Sequence, residues 1–426
     1  MFTTLRNAWK IPELRKKLLF VLLILLIYRV GNAVPVPYVN VEMLAEYFNT
    51  NLSDTVLGLY NAMSGSAFSH ATVLALSIQP YINASIIIQL LTIAIPALER
   101  LSKDGGEEGK EKINNITRYT TVGLGLIMGV SYWAMLKNYQ LLTNDKIFPY
   151  AFVIVIAFTA GSAFVMWLGE QITEFGIGNG ISMILFANII SRIPSGISTI
   201  WTNVVADPIH NWYKYLLIII GMLALIVLIV FIDNSERRIP VQYAKRVVGR
   251  KVYGGQSTHL PIKVNMSGVL PIIFAQSIAS LPATFATFFG RQSGWWYNNV
   301  WSTKTVVYAV CYFLLIIFFS YFYATIQYNP IEIANNMKMN GGFIPGFRPG
   351  RPTAEFIGKV IRKITIFGAL YLAVVALLPI IVGNIFNITS LSIGGTSVII
   401  VVGVAIETVA AIEAQMMMRH YKGFLE

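Results

Sequence analysis

Four histidines and one cysteine are the first places to look for chemistry in this 426-residue chain. His70, His210, His259 and His420 lie far apart and show no metal-ligand spacing. Cys311 stands alone in the apolar run Tyr308–Phe319. A single thiol excludes an internal disulfide and a cysteine-based zinc site, and this one reads as a buried structural residue. Gly176-Ile-Gly-Asn-Gly180 is glycine-rich, but no strand precedes it, so it reads as a helix-breaking turn and not a phosphate cradle. The sequence contains no Gly-x-x-x-x-Gly-Lys-Ser/Thr loop, which removes ATP hydrolysis by that route. The expectation is a protein that is not an enzyme and holds no metal or cofactor.

The other polar candidates are neutral and sit in apolar surroundings. Gln79, Asn83, Ser85 and Gln89 share one stretch; Gln276, Ser277 and Ser280 share another. Such side chains hydrogen-bond neighbouring helices, and two helices with similar polar faces could also form a seam that opens. Ion-coupled transporters keep ionisable groups near the membrane midplane. Here Arg29, Glu407 and Glu413 lie toward the ends of apolar stretches, where charged groups snorkel or cap. That distribution argues against a proton or sodium symporter.

The elements that position these residues follow from composition. Hydrophobic residues make up 55% of the chain and charged ones only 12%, about half the share usual in soluble domains. The excess apolar surface must face lipid. A spanning helix needs ~20 largely apolar residues. Ten stretches qualify: Leu18–Val36, Val73–Leu98, Tyr119–Leu136, Ile147–Leu168, Ile177–Ile193, Trp212–Ile232, Met266–Phe289, Val306–Ile326, Ile361–Val382 and Thr396–Met418. The fifth is short and glycine-flanked. The first follows Arg15, Lys16 and Lys17 but lacks a small-residue cleavage site, so it is expected to be a permanent span. Backbone groups in lipid must satisfy one another, which makes the spans helices.

Charge placement tests the count. With ten spans, 25 of the 32 Lys and Arg fall on the side holding both termini and 6 on the other, with Arg29 inside a span. By the positive-inside rule both termini are cytoplasmic. Two cytoplasmic loops, 234–265 and 327–358, are long for connectors, and long structured loops often carry function. Their bases read as a docking surface for something acidic, beyond simple attraction to anionic lipid. Segment 55–72 is moderately apolar, rich in Gly, Ser and Ala, and free of Lys and Arg. An apolar half-helix that does not span must lie in a cavity or on the surface.

Several motifs occur in order along nearly the whole chain. They are Tyr60-Asn-Ala-Met-Ser-Gly-Ser-Ala-Phe-Ser69, Gln79-Pro-Tyr-Ile-Asn-Ala-Ser-Ile-Ile-Ile-Gln-Leu-Leu-Thr92 and Lys112-Ile-Asn-Asn-Ile-Thr-Arg-Tyr-Thr120. Gly176–Ser182, Ile262–Pro271, Gly342–Gly350 and Gly394–Ser397 continue the series. Together, on ten spans of matching orientation, they resemble the SecY and eukaryotic translocon alpha-subunit family, whose bacterial members form the centre of a protein-conducting channel. The resemblance implies an all-α membrane protein of two inverted five-helix halves, 1–195 and 196–426, around an hourglass pore. It implies a pore ring of Ile82, Ile86, Ile181, Leu185, Ile273 and Ile400, apolar so that any sequence slides past. It implies a plug in 55–72, with Asn61, Ser64, Gly65 and Ser66. It also implies a lateral gate between spans two and seven, with Asn83, Ser85, Gln89, Gln276, Ser277 and Ser280 as a weak polar latch. Docking would involve Arg237, Arg238, Lys245, Arg246, Arg250, Arg348 and Arg351.

The partners implied are the small subunits SecE and SecG, the SecA motor ATPase, the ribosome, signal peptides, nascent unfolded proteins and anionic lipids, at the bacterial cytoplasmic membrane. Three positions depart from the family pattern: Gly65-Ser66 where two glycines are common, Asn83 where serine is common, and Leu185 where isoleucine is. A multi-spanning secondary transporter or lipid flippase, and a membrane scaffold, remain as alternatives.

Overall fold

The computed structural model describes residues 2–48, 50, 56–143, 147–206, 208–243, 246–248, 251–253, 257–266, 268–288, 305–386 and 395–422. It is dominated by helices. The N-terminal part contains α1 (Phe2–Lys10), α2 (Pro12–Gly31), α3 (Val41–Tyr47), α4 (Val56–Met63), α5 (Gln79–Ala94), α6 (Pro96–Lys103), α7 (Gly106–Asn138), α8 (Phe152–Phe175), α9 (Gly180–Ser191) and α10 (Ile193–Ala206). The rest contains α11 (Pro208–Asp233), α12 (Leu270–Phe288), α13 (Val306–Gln327), α14 (Pro330–Met339), α15 (Arg351–Phe386) and α16 (Gly395–Lys422). Strands β1 (Glu236–Tyr243), β2 (Arg246–Val248), β3 (Lys251–Tyr253) and β4 (Ser257–Lys263) lie between α11 and α12, and β5 (Gly342–Phe343) between α14 and α15.

Among the described residues, seven helices are long and apolar enough to cross a membrane, or eight if the pair α5 and α6 counts as one broken span. The other two expected spans correspond to α2 and α12. Basic residues crowd the start of α2, and Pro282 interrupts α12. Helix α11 carries the most apolar stretch, and Leu216, Ile220, Leu223, Val227 and Phe231 on it are exposed. Such a face in water would be an aggregation site; in lipid it needs no partner.

The core is continuous through the bundle. Residues of α2, α4, α5, α7, α8, α9, α12, α13, α15 and α16 belong to one buried apolar cluster. Close approach of α7 to α8 depends on small residues. A Cβ at Gly125 would lie 2.8 Å from the Ser162 hydroxyl, and one at Gly129 3.3 Å from the Val155 carbonyl. Glycines four apart on one helix let backbones meet, where dispersion contacts are the main gain in lipid.

Several boundaries differ from the sequence reading. The second span does not start at Val73: residues 72–78 form turns, and the helix begins at Gln79. Pro80 therefore starts a helix instead of breaking one, because a first-turn proline has no bond to lose. The break comes later, at Pro96, where the chain bends by 106°. The fifth span is longer than expected, since α10 carries its apolar course from Gly180 to Thr202. The boundary expected at 195/196 falls inside α10. Helix α7 begins at Gly106 and α15 at Arg351, each about three turns before the apolar stretch it carries. Cys311 is half-buried.

The two long basic loops form one body. β1 pairs antiparallel with β4, Glu236 opposite Lys263 and Ile239 opposite Leu260. It pairs on its other edge with β5, Gln242 opposite Phe343, giving the order β4-β1-β5. Alternation along β1 buries Ile239 and Val241. They pack with Ile262, Met337, Ile344, Ile357 and Ile361 in a second apolar cluster, separate from the bundle core. Sequence 234–265 and sequence 327–358 thus share one core.

Candidate functional site

Helix α4 is short, carries no charge, and lies inside the bundle against α9 and α12. Its side chains Leu57, Tyr60, Asn61 and Met63 are buried. A tight run of turns follows it. Gly65 and Ser66 both have left-handed backbone, at φ 67° and 72°. A Cβ at Gly65 would come 3.0 Å from the Asn188 side-chain oxygen and 3.2 Å from an Arg29 nitrogen, so space as well as backbone favours glycine there. Ser66 bears a left-handed conformation that L residues rarely adopt. The turns are fastened by side chains. Asn61 Oδ1 accepts from the Ser69 amide at 2.9 Å, and Ser64 Oγ accepts from the Phe68 amide at 3.1 Å. Tyr132 on α7 donates its hydroxyl to the Phe68 carbonyl.

Around the end of α4 lies a polar cluster in an apolar interior. Asn188, on α9, donates from Nδ2 to the Met63 carbonyl at 2.8 Å, the Tyr28 hydroxyl at 2.9 Å and Ser77 Oγ at 3.3 Å. The thioether of Met63 accepts from Gln79 Nε2 at 3.2 Å and from Gln276 Nε2 at 3.3 Å. Tyr60 and Ser280 share a hydroxyl hydrogen bond of 2.9 Å. Gln79, Asn188, Gln276, Ser277 and Ser280 are all more than nine-tenths buried. Oε1 of both glutamines, Asn188 Oδ1 and Ser277 Oγ have no hydrogen-bond partner among the described residues. Each such atom costs ~1–3 kcal/mol relative to a satisfied one.

The structure brings most of the sequence-nominated residues together. Ile82, Ile86, Leu185, Ile273 and Ile400 are buried in the bundle core, and half-buried Ile181 packs against it. Helices α5 and α12 are in contact, and α4 touches α12 close by. Gln276, Ser277 and Ser280 face this interior. Asn83, Ser85 and Gln89 are only half-buried and turn elsewhere. Gln89 Nε2 donates to Ser85 Oγ at 3.3 Å on its own helix, and Asn83 contacts the Met128 sulfur on α7 at 4.0 Å. The residue of α5 that does reach toward α12 is Gln79. Met63, Tyr60, Asn188 and Tyr28 are further members that the sequence reading did not single out. Asn188 had a visible signal, being the one amide in the apolar stretch Gly180–Ser191.

On the strand-bearing body, Arg237 and Arg238 are exposed on β1, and Arg238 pairs with Glu236 at 2.7 Å. Arg348 is exposed on the turn before α15, whose shape is set by Gly346 and Gly350 at φ 87° and 104°. Thr353 Oγ1 donates to the Arg348 carbonyl at 2.8 Å, and Phe347 stacks on Phe356 at 4.3 Å, which holds the turn. Arg351 pairs with Glu355 at 3.2 Å. Arg246 lies on β2, and Lys245 and Arg250 lie outside the described residues.

Fold and site define a mostly helical, multi-spanning membrane protein with a short helix lodged among its spans. A family model described as SecY matches residues 72–409, and the chain belongs to the SecY family. It is 44% identical to "Protein translocase subunit SecY" of Streptomyces galbus over 442 aligned positions, covering all of both chains. It is 42% identical to the protein of the same name from Halalkalibacterium halodurans, again over full length. Its fold matches a solved structure described as "The structure of a protein conducting channel" at a TM-score of 0.67 and 17% identity, covering 94% of this chain and 92% of that one. Sec61 in the canine ribosome-channel complex from the endoplasmic reticulum matches at a TM-score of 0.64 and 15% identity, again covering 94% and 92%.

Proposed function

We propose that this chain is the pore-forming subunit of a protein-conducting channel, passing unfolded proteins across the bacterial cytoplasmic membrane and releasing spanning segments sideways into lipid. Full-length likeness to translocase subunits supports the reading. The observation that carries it is α4: an uncharged half-helix lodged within a bundle of spans, packed in their apolar core and tied to them by side-chain hydrogen bonds. In this reading 55–72 is the plug, and Asn61, Ser64, Gly65 and Ser66 shape the turn that seats it. Thr55 lies outside the described residues. Ile82, Ile86, Ile181, Leu185, Ile273 and Ile400 form the constriction, because apolar side chains close around a chain without holding it. The seam between α5 and α12 is the lateral gate.

Ten spans in two inverted halves, 1–195 and 196–426, place both termini and the strand-bearing body in the cytoplasm. That body presents Arg237, Arg238, Arg348 and Arg351, with Lys245, Arg246 and Arg250 in the same loop, to an acidic partner. The candidates are the SecA motor and the ribosome. One fold neighbour is a channel in a ribosome complex. SecE and SecG are the expected small subunits, signal peptides the gate's ligands, and anionic lipids the surroundings of the basic side. No observation favours a transporter: the buried polar groups around α4 are amides and hydroxyls, not charges.

The test is deletion of residues 55–72. Planar bilayers holding the variant complex are expected to show a standing ion conductance that the parent complex lacks. Conductance equal to the parent's would remove the plug assignment.

A further inference from the structure

A cavity of about 750 Å³ lies where the bent pair α5 and α6 faces the end of α13 and the start of α15. Its volume is that of a small-molecule site. One wall carries Thr92 of α5 and Glu99 of α6; the other carries Tyr321 of α13, Glu332 of α14, and Arg362 and Thr365 of α15. Thr365 is only 6% exposed, and its Oγ1 has no hydrogen-bond partner among the described residues. Buried hydroxyls are normally satisfied, so this oxygen calls for a partner that the cavity receives.

The polar groups are ordered by depth. Helix α13 ends, and α15 begins, on the side of the strand-bearing body, and α14 packs into the core of that body. Glu332 on α14 is therefore outermost. Arg362 lies about three turns into α15, and Thr365 about one turn deeper. Exposed apolar strips continue from there along both helices: Tyr321, Phe318 and Leu314 on α13, and Ile366, Leu370 and Val374 on α15. Steps of three and four keep each strip on one helix face, and Ile366 continues the line of Arg362.

We propose that this cavity binds the headgroup of an aminophospholipid, phosphatidylethanolamine, with its acyl chains laid along the strips of α13 and α15. The exposed Arg362 guanidinium takes the phosphate. One turn deeper, Thr365 Oγ1 donates to an ester oxygen. At the outer end the exposed Glu332 carboxylate accepts N–H bonds from the ammonium. Ammonium, phosphate, ester and chain thus meet Glu332, Arg362, Thr365 and the apolar strips in the same order. Charge selects the class of lipid. One guanidinium lines the cavity with two carboxylates, Glu332 and Glu99, of which Glu99 is already engaged by another group. A purely anionic headgroup meets an excess of like charge there, whereas a zwitterion matches both signs. The quaternary ammonium of phosphatidylcholine has no N–H to offer Glu332. A basic peptide would satisfy the carboxylates and leave Arg362 unmatched. The site is therefore distinct from the diffuse attraction of the basic loops to anionic lipid.

The test reads binding directly, by native mass spectrometry of the complete channel complex released from nanodiscs of phosphatidylcholine doped with equal amounts of phosphatidylethanolamine and phosphatidylglycerol. The parent is expected to retain phosphatidylethanolamine over both other lipids. R362Q should lower that retention about tenfold. E332Q should lower it about tenfold as well and erase the preference over phosphatidylcholine. T365V should lower it about fivefold without lowering the melting temperature of the lipid-stripped complex, because Oγ1 has no protein partner to lose. K363Q removes a cation from the neighbouring residue, which does not line the cavity, and should change nothing. The site is overturned if phosphatidylglycerol is retained over phosphatidylethanolamine, if E332Q keeps the parent's preference, or if K363Q matches R362Q, which would reduce the binding to a general basic surface. O-phosphoethanolamine, offered to the lipid-stripped complex, separates lipid from soluble headgroup. It should bind far more weakly than the lipid, and equal affinity would overturn the role of the strips. Should R362Q fail to assemble, E332Q at its exposed position decides by the same preference. No transport is measured, so a failure here leaves the channel reading to the deletion of 55–72, and a silent deletion leaves the lipid site untouched.

Discussion

Arg348, proposed for docking, sits where a side chain is unimportant for folding. It is exposed, and the turn that carries it is held by other groups: the Thr353 hydroxyl on its carbonyl, the Phe347–Phe356 stack, and two glycines in left-handed backbone. Arg348→Glu should therefore leave thermal unfolding of the detergent-solubilised protein unchanged. Against an acidic partner the reversed charge should lower motor-driven preprotein transport by about tenfold or more at low salt. Parent-level transport by the mutant would end the docking role. The interior residues were harder to read. Gln276 and Ser280 stood out as polar groups in an apolar run, but nothing in the sequence marks Met63, because a methionine in such a run has every reason to be ordinary core. Its place comes from three segments meeting at one sulfur, which no local pattern encodes. Asn83 and Gln89 were nominated for the same chemistry as Gln79, yet they bond on the far side of α5 or within it. Rotation about a helix axis is set by tertiary packing, and amide composition does not report it.

The apolar elements were legible for a simple reason: lipid demands ~20 apolar residues in a row, and hydropathy counts them. Where the chain enters and leaves its helices was not. Residues 73–78 are mostly apolar or small, so they read as the start of a span, but Ser77 among them, like Ser66 and Ala71 before it, adopts positive φ. Non-glycine residues carry no sequence signal for that conformation; around Ser66 and Ala71 the turns are fastened by hydrogen bonds that Asn61 and Ser64 accept and Tyr132 donates. The same turns make a close crossing. A Cβ on Gly161 of α8 would sit 1.9 Å from the Val73 carbonyl, which is backbone and cannot swing aside. Gly161→Val should lower stability by ~1–3 kcal/mol, read as a drop in the detergent melting temperature. Gly129→Ala, whose Cβ would meet the Val155 carbonyl at 3.3 Å, should cost clearly less. Equal effects of the two would mean that the turn at Val73 yields and is not a fixed seat. The strands in loop 234–265 were missed because each is short and its alternation brief. Pairing of β1 with β5, about 100 residues farther along the chain, completes their core.

At the scale of the molecule, charge and helix count constrain each other. Seven helices, or eight with the bent pair, pass as spans on length and hydropathy, while ten are needed to gather 25 basic residues on one side. The difference rests on α2 and α12. Helix α12 is buried through most of its described length, with Ile272, Ile273, Phe274, Ala275 and Ala279 all in the core. A span enclosed by other spans need not be uniformly apolar or uninterrupted, so Pro282 and the polar residues that weaken its hydropathy are compatible with crossing. Helix α2 is the reverse case. Leu19, Leu22, Leu23 and Leu26 are exposed, and what sets it apart is the charge at its two ends, Arg15, Lys16 and Lys17 at the start and Arg29 in the last turn. If both cross, the segments after α1, α6 and α11 share a side, and the segment after α7 lies opposite. Single cysteines placed in a C311S background settle the matter by labelling intact cells with a maleimide that cannot cross the inner membrane, the outer barrier having been removed. Lys137→Cys, at the end of α7, should label from outside. Lys10→Cys, Lys110→Cys and Arg237→Cys should label only after the membrane is opened. Because α2 lies between Lys10 and Lys137, and α12 between Arg237 and the C-terminal helices, loss of either crossing would flip a predictable subset. Outside labelling at Lys10 with Lys110 still protected would remove α2 from the spans. Protection of a cysteine at Thr305, which precedes α13, with Arg237 also protected would remove α12.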